Sequence, residues 1–271
     1  MMRIDGLKPI APQPVPGSTH FQHSKAGKII DLKERSFIML KKDLILRNPL
    51  RLLGQENKEI LPQGGFGAVL ARAGVGKTAL MVQLSLETLL RGKNVLHVSL
   101  NDPVNKVGLW YDEVFHHLAQ QYNIQQINDL WESMLPHRFI MTFKVEGFSV
   151  PKFEERLTDL TEQDIFSPDM IIIDGLPFSK TDEQSLTQLK EFSEKHQRCI
   201  WFSVRTHRHE EPSPSGIPLQ LAGLDDLFDI IIQLQPQGEE IHVRAIKSDG
   251  SEAESPVLKL DPSTMLIQKG S

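Results

Sequence analysis

The chain has 271 residues, 39% hydrophobic and 24% charged, with a formal net charge of −5. That length suits one large α/β domain, alone or with appendages, and it suffices for a substantial core. The acidic balance excludes a general affinity for nucleic acid, though not a local basic loop; the single cysteine, Cys199, excludes an intramolecular disulfide and most zinc modules and fits a reducing cytoplasm; no apolar run approaches the roughly 18 residues of a membrane span.

Residues 1–28 carry Pro9, Pro12, Pro14 and Pro16 in a polar background and lack the basic-then-apolar pattern of a secretory signal. They predict an extended arm, the candidate contact for a protein partner. Over residues 29–60, apolar pairs such as Ile29 with Ile30 and Leu52 with Leu53 alternate with charged residues. This predicts one or two helices packed on the main domain, which occupies residues 61–271. The main domain opens with a buried strand at 67–70 and a helix at 78–91. A strand at 94–100 and two helices follow, at 103–121 with proline in its first position and at 127–135. Further strands are expected at 138–143, 170–174 and 198–204, separated by helices at 151–161 and 182–196. The run Ile171-Ile172-Ile173 suits a strand buried on both faces. Residues 229–234, 241–247, 257–260 and 265–267 predict antiparallel strands joined by Gly and Pro turns. The fold class expected is α/β, a mostly parallel central sheet flanked by helices with a C-terminal antiparallel extension. Ligands of such sheets bind at the carboxyl ends of the strands.

One stretch stands at such an end: Ala71-Arg72-Ala73-Gly74-Val75-Gly76-Lys77-Thr78. It matches the phosphate-loop pattern G-x-x-x-x-G-K-[ST] with Ala71 in place of the first glycine. Chance alone puts the relaxed pattern in about one chain in fifty, so its setting between strand and helix matters. Gly74 and Gly76 allow the main chain to curl, and successive N–H groups then form an anion nest at a helix N-terminus. Arg72, Ala73, Gly74, Val75, Gly76, Lys77, Thr78 and Ala79 are therefore the candidate cradle for ATP or ADP. Lys77 is placed to reach the β- and γ-phosphates and the Thr78 hydroxyl to hold Mg²⁺. Asp174 ends a buried strand in the same domain and is the second candidate Mg²⁺ ligand.

The order of these pieces resembles the RecA/KaiC superfamily of P-loop ATPases, which includes the DnaB-type helicases. The resemblance rests on Leu61-Pro62-Gln63-Gly64-Gly65 before the strand and loop, on Val95 to Pro103 as the second strand, on Asp174, and on a hairpin ending in Lys247; it covers residues 61–268. It implies a RecA-like fold, ATP with Mg²⁺, and a homo-oligomer in which Lys247 reaches a neighbour's ATP. Two positions depart from the family's pattern. Asn101 stands where the family places the glutamate that orients the attacking water, with Asp102 next to it as a substitute. The hairpin reads Lys247-Ser248-Asp249 in place of Lys-x-Arg. An amide orients water but takes no proton. The expectation is a nucleotide switch with slow hydrolysis; a DNA-dependent ATPase and a non-catalytic nucleotide-binding scaffold are the alternatives.

Other residues carry weaker signals. Arg205, His207, Arg208 and His209 lie in a Pro-, Ser- and Gly-containing loop at 205–216. A solvated loop is the favoured reading there, ahead of nucleic-acid contact or of a metal site from His207, His209 and Glu210. Ser203 and Arg205 are candidate sensors of the γ-phosphate. Adjacent His116 and His117 point about 100° apart on a helix, one predicted buried and one exposed. Trp110, Tyr111 and Phe115 are expected in the core or at an interface.

Overall fold

A computed structural model describes residues 37–53, 59–207, 217–248 and 257–270. The predicted arm at 1–28 lies outside the described residues, as do positions 208–216 and Asp249. Two compact units divide the chain, residues 1–40 and 41–271. The second holds every element below except the start of helix α1 (residues 37–47).

Nine strands form one sheet among the described residues: β1 (Phe66–Ala71), β2 (Val95–Ser99), β3 (Arg138–Thr142), β4 (Met170–Asp174), β5 (Cys199–Arg205), β6 (Ile230–Gln237), β7 (Glu240–Lys247), β8 (Leu258–Leu260) and β9 (Ile267–Lys269). Their order is β3-β2-β4-β5-β1-β6-β7-β8-β9. The first six run parallel and the last three antiparallel. The four C-terminal strands are antiparallel to one another, as their Gly and Pro turns predict, and the first of them, β6, joins the meander to the main sheet by pairing with β1 in parallel. The last strand begins at Ile267, two residues later than expected, because Met265 takes a positive φ of 56° in the preceding turn.

The helices are α2 (Lys77–Leu90), α3 (Val104–Gln121), α4 (Ile127–Met134), α5 (Val150–Glu162) and α6 (Glu183–His196). Pro103 is the N-cap of α3, not its first helical residue, with an extended ψ of 160°. Strand alternation divides the core. Phe66, Leu96, Ile171 and Phe202 meet Phe153 and Leu157 of α5 and Leu186 and Leu189 of α6. Helix α2 packs on the other face, with α3 against it. Eleven of its fourteen residues are buried, so α2 is a core helix rather than an amphipathic one. Among the described residues no helix is long and apolar enough to cross a membrane.

Two contacts fix β1. At its start the Phe66 N–H donates to the Asp229 carboxylate at 2.8 Å, and Lys190 of α6 donates to the same oxygen at 2.9 Å. One residue on, Gly67 lies beneath the fully buried Trp201 ring of β5, whose nearest atom is 2.4 Å from where a Cβ would be. A side chain there has to push a ring that is packed on all sides. Gly67→Ala is therefore expected to lower stability by about 1–3 kcal/mol. A urea midpoint unchanged from the parent would contradict that packing.

Candidate nucleotide site

Strand β1 delivers the loop to the carboxyl edge of the sheet. Ala71 pairs with Arg205 across β1 and β5, and the Thr206 N–H closes the strand end on the Ala71 carbonyl at 3.1 Å. The chain then turns through Gly74 at φ 77° and Gly76 at φ 103°, both left-handed, and α2 begins at Lys77. The N–H groups from Gly74 to Ala79 donate to no carbonyl of the described residues. A row of free donors at a helix N-terminus attracts an anion by hydrogen bonding and by the helix dipole. The two glycines differ in their surroundings. A Cβ on Gly74 meets nothing within 4 Å, whereas one on Gly76 lies 2.6 Å from Leu260 Cδ2 and 3.5 Å from Met265 Sδ. The loop is thus backed by the C-terminal strands.

Behind the loop, Lys77 Nζ donates to the Ala71 and Arg72 carbonyls, each at 3.0 Å. Burial lowers the Lys77 pKa; Arg205 pushes the same way and Asp174 opposes them. The Thr78 hydroxyl donates to Asp174 Oδ2 at 3.0 Å, and the Ser203 hydroxyl donates to Asp174 Oδ1. Ser203 also accepts the Gly175 N–H at 2.9 Å. Hydroxyls from α2 and β5 thus hold the two oxygens of one carboxylate on β4. Among the described residues no three His, Cys, Asp or Glu side chains cluster as a metal cage. A cation here would depend on the Thr78 and Asp174 oxygens, completed by oxygens from outside the chain, and that donor set suits Mg²⁺.

Asn101 and Asp102 leave the adjacent strand β2, where Ser99 pairs with Asp174. Asn101 lies across Gly175: a Cβ there would be 2.1 Å from its Nδ2, and Gly175 has φ 95°. The Asp102 N–H donates to Ser99 Oγ at 3.0 Å, while its carboxylate pairs with Lys106 of α3 at 2.8 Å. The amide is therefore the group that lies against the Asp174–Gly175 turn, and the neighbouring carboxylate is engaged by α3. Ser99, Gly175 and Leu260 are site residues that the sequence reading did not assign. Only Gly175 left a trace, as the residue after Asp174 that must accept a positive φ.

Beneath the site runs a buried polar chain. Tyr111 donates to Ser85 at 2.9 Å and Ser85 to the Met81 carbonyl at 3.1 Å. The phenol proton is thus committed, and His97 Nδ1, 3.1 Å from that oxygen, must be the donor to it. Its Nε2 is buried without a partner among the described residues. Burial pushes the His97 pKa down to about 4, against the pull of Asp174.

Other predicted residues fall elsewhere. Arg205 ends β5 beside Ala71, within electrostatic reach of Lys77. Arg72 is half-buried. Lys247 pairs with Ile231 near the amino end of β6 and donates to its own chain's Asp225 carbonyl at 2.7 Å. That is the sheet edge opposite this chain's loop. Tyr111 and Phe115 are in the core. His116 is exposed, but His117 is only half-buried, because it donates to the Thr264 carbonyl at 2.8 Å at the rim of the C-terminal strands.

A glycine loop between β1 and a buried helix, with a carboxylate two strands away, defines a P-loop nucleotide-binding domain. Residues 47–198 match a family model described as AAA domain, and the chain belongs to that family. No curated protein matches the chain. A domain of the AAA type implies nucleotide binding.

Two outcomes follow from this geometry. Gly74→Ala is expected to cost only left-handed strain, about 1–2 kcal/mol, and Gly76→Ala that strain plus about 1–3 kcal/mol of overpacking against Leu260. Equal urea midpoints for the two variants would contradict the backing contact. His97 has a folded pKa below its unfolded value, so its contribution is present above pH 6.5 and is lost as pH falls toward 4. The loss should approach about 3 kcal/mol and disappear in His97→Asn; parallel stability–pH curves for the two proteins would refute it.

Proposed function

We propose that the chain is an ATP-binding switch of the RecA/KaiC type that hydrolyses ATP slowly with Mg²⁺. The observation that carries the binding is the Thr78–Asp174 hydrogen bond beside a row of free N–H groups. The N–H groups from Gly74 to Ala79 would receive phosphate oxygens. Lys77 would exchange its two loop carbonyls for phosphate oxygens, regaining for a buried ammonium the negative charge that burial makes desirable. Thr78 and Asp174 would hold Mg²⁺, which when bound neutralises phosphate charge. Ser203 keeps the Asp174 carboxylate oriented, and Arg205 adds positive charge at the loop.

Slow turnover follows from Asn101. The group lying over Gly175 is an amide that can hold water but take no proton, and the Asp102 carboxylate is paired with Lys106. Lys247, on the edge away from its own loop, suits a role at the nucleotide of a second copy, in a homo-oligomer acting in the cytoplasm. In this reading residues 1–28 serve as an arm for a protein partner and 61–271 as the ATP-binding domain.

The test combines a nucleotide titration with turnover. Lys77→Ala should weaken ATP binding by at least about tenfold. Asn101→Glu should raise turnover by about 10²-fold or more, the value of a placed general base. Turnover near the enzyme median of about 10 s⁻¹ in the unaltered chain, abolished by Asp102→Ala, would overturn the slow-switch reading; absence of nucleotide binding would overturn it entirely.

A further inference from the structure

A second concavity adjoins the site. It lies at the carboxyl ends of β2 and β3, with Leu100, Asn101, Asp102, Thr142 and Phe143 on one side and Lys144, Lys152 and Arg156 on the other. Its volume is about 850 Å³, within the range of small-molecule sites. The chain as a whole is acidic, but this cleft is not. Among the described residues Lys144, Lys152 and Arg156 form no ion pair with any carboxylate. Of the two acids in the lining, Asp102 is neutralised by Lys106 at 2.8 Å, leaving Glu155 against three cations.

The cations are also organised. The Arg156 guanidinium lies over the Phe143 ring, 4.4 Å from its centroid. A guanidinium held over a ring still has N–H groups to offer an oxyanion, and its planar fork favours arginine for phosphate. Phe143 is only 8% exposed, and it is the only aromatic side chain of the lining. The cleft therefore offers no exposed aromatic face for a nucleic-acid base, which argues for a small ligand rather than a single strand.

We propose that this cleft is a second ligand site, for a small phosphate-bearing molecule, distinct from the glycine loop. Lys144, Lys152 and Arg156 bind the phosphate, and the ligand body rests on the Leu100–Asn101 side. Since Asn101 also lies across Gly175, beside Asp174, occupancy presses on the group that positions water. Binding at the cleft stands by itself; its effect on hydrolysis rests on the proposed ATP reading.

Lysine acylation of the full chain, read residue by residue by mass spectrometry, separates the two sites, with inorganic pyrophosphate as the probe. Lys144 and Lys152 should be protected, at the same midpoint in the parent and in Lys77→Ala. Arg156→Glu should weaken that protection at least about tenfold, while Lys77 stays protected. Arg156→Lys, which keeps the charge without the planar fork, should fall between. Protection confined to Lys77, equal protection by chloride at matched ionic strength, or protection by an oligothymidylate but not by pyrophosphate would each overturn the proposal. Protection of Lys144 and Lys152 in a chain that shows no ATP binding would uphold the cleft and overturn only the nucleotide reading.

Discussion

The hydrogen bond from Thr78 to Asp174 is the contact on which the site depends. It joins the first turn of α2 to the end of β4, residues 96 apart in sequence. Strand β5 lies between β1 and β4, and its own hydroxyl, Ser203, reaches the other carboxylate oxygen. Three elements thus converge on one carboxylate, and the parallel register holds them level. Ser99 and Asp174 end their strands side by side, so the β2 turn carrying Asn101 begins level with the Asp174 carboxylate. Charge is concentrated at this edge by the fold, not by composition.

The loop is also held from a side that the parallel sheet does not supply. The C-terminal strands wrap onto α2: Gln83 donates to the Met265 carbonyl at 2.7 Å and accepts the Ile267 N–H at 2.9 Å, and Leu260 presses on Gly76. This explains why the helix that follows the glycine turn is buried almost all round. Its polar residues are partnered inside, Ser85 by Tyr111 and Glu87 by Arg91 at 2.8 Å. An interior polar network of this kind specifies one arrangement, because each unmade bond would leave a desolvated group. Movement of the glycine loop would therefore be felt at β8 and β9, through Gly76 and Gln83.

Much of this was legible in the sequence. The glycines at 74 and 76, Lys77 and Thr78 follow from the chemistry of holding a phosphate on backbone N–H groups, which requires positive φ and a helix start. The alternation of apolar strands with helices gave the parallel sheet, and Ile171-Ile172-Ile173-Asp174 marked both a fully buried strand and its polar end. The departure at Asn101 was equally visible, since an amide differs from a carboxylate wherever it sits.

Tertiary structure decided the rest. Nothing local to β6 says that it pairs with β1 in parallel, because strand direction depends on which edge the preceding connection reaches. Nothing local to Asp102 says that its carboxylate goes to Lys106 while Asn101 lies across Gly175; that choice depends on how α3 leaves β2 and on where β4 ends. Leu260 and Gly76 are 184 positions apart, and Phe143 meets Arg156 only where β3 and α5 pack. The sequence by itself determined which residues are candidates for a phosphate site, because that is a property of backbone angles and side-chain charge. Which groups stand around the glycine loop was decided by the packing of the sheet, because contacts between distant segments are set by the burial of the whole core rather than by any one stretch.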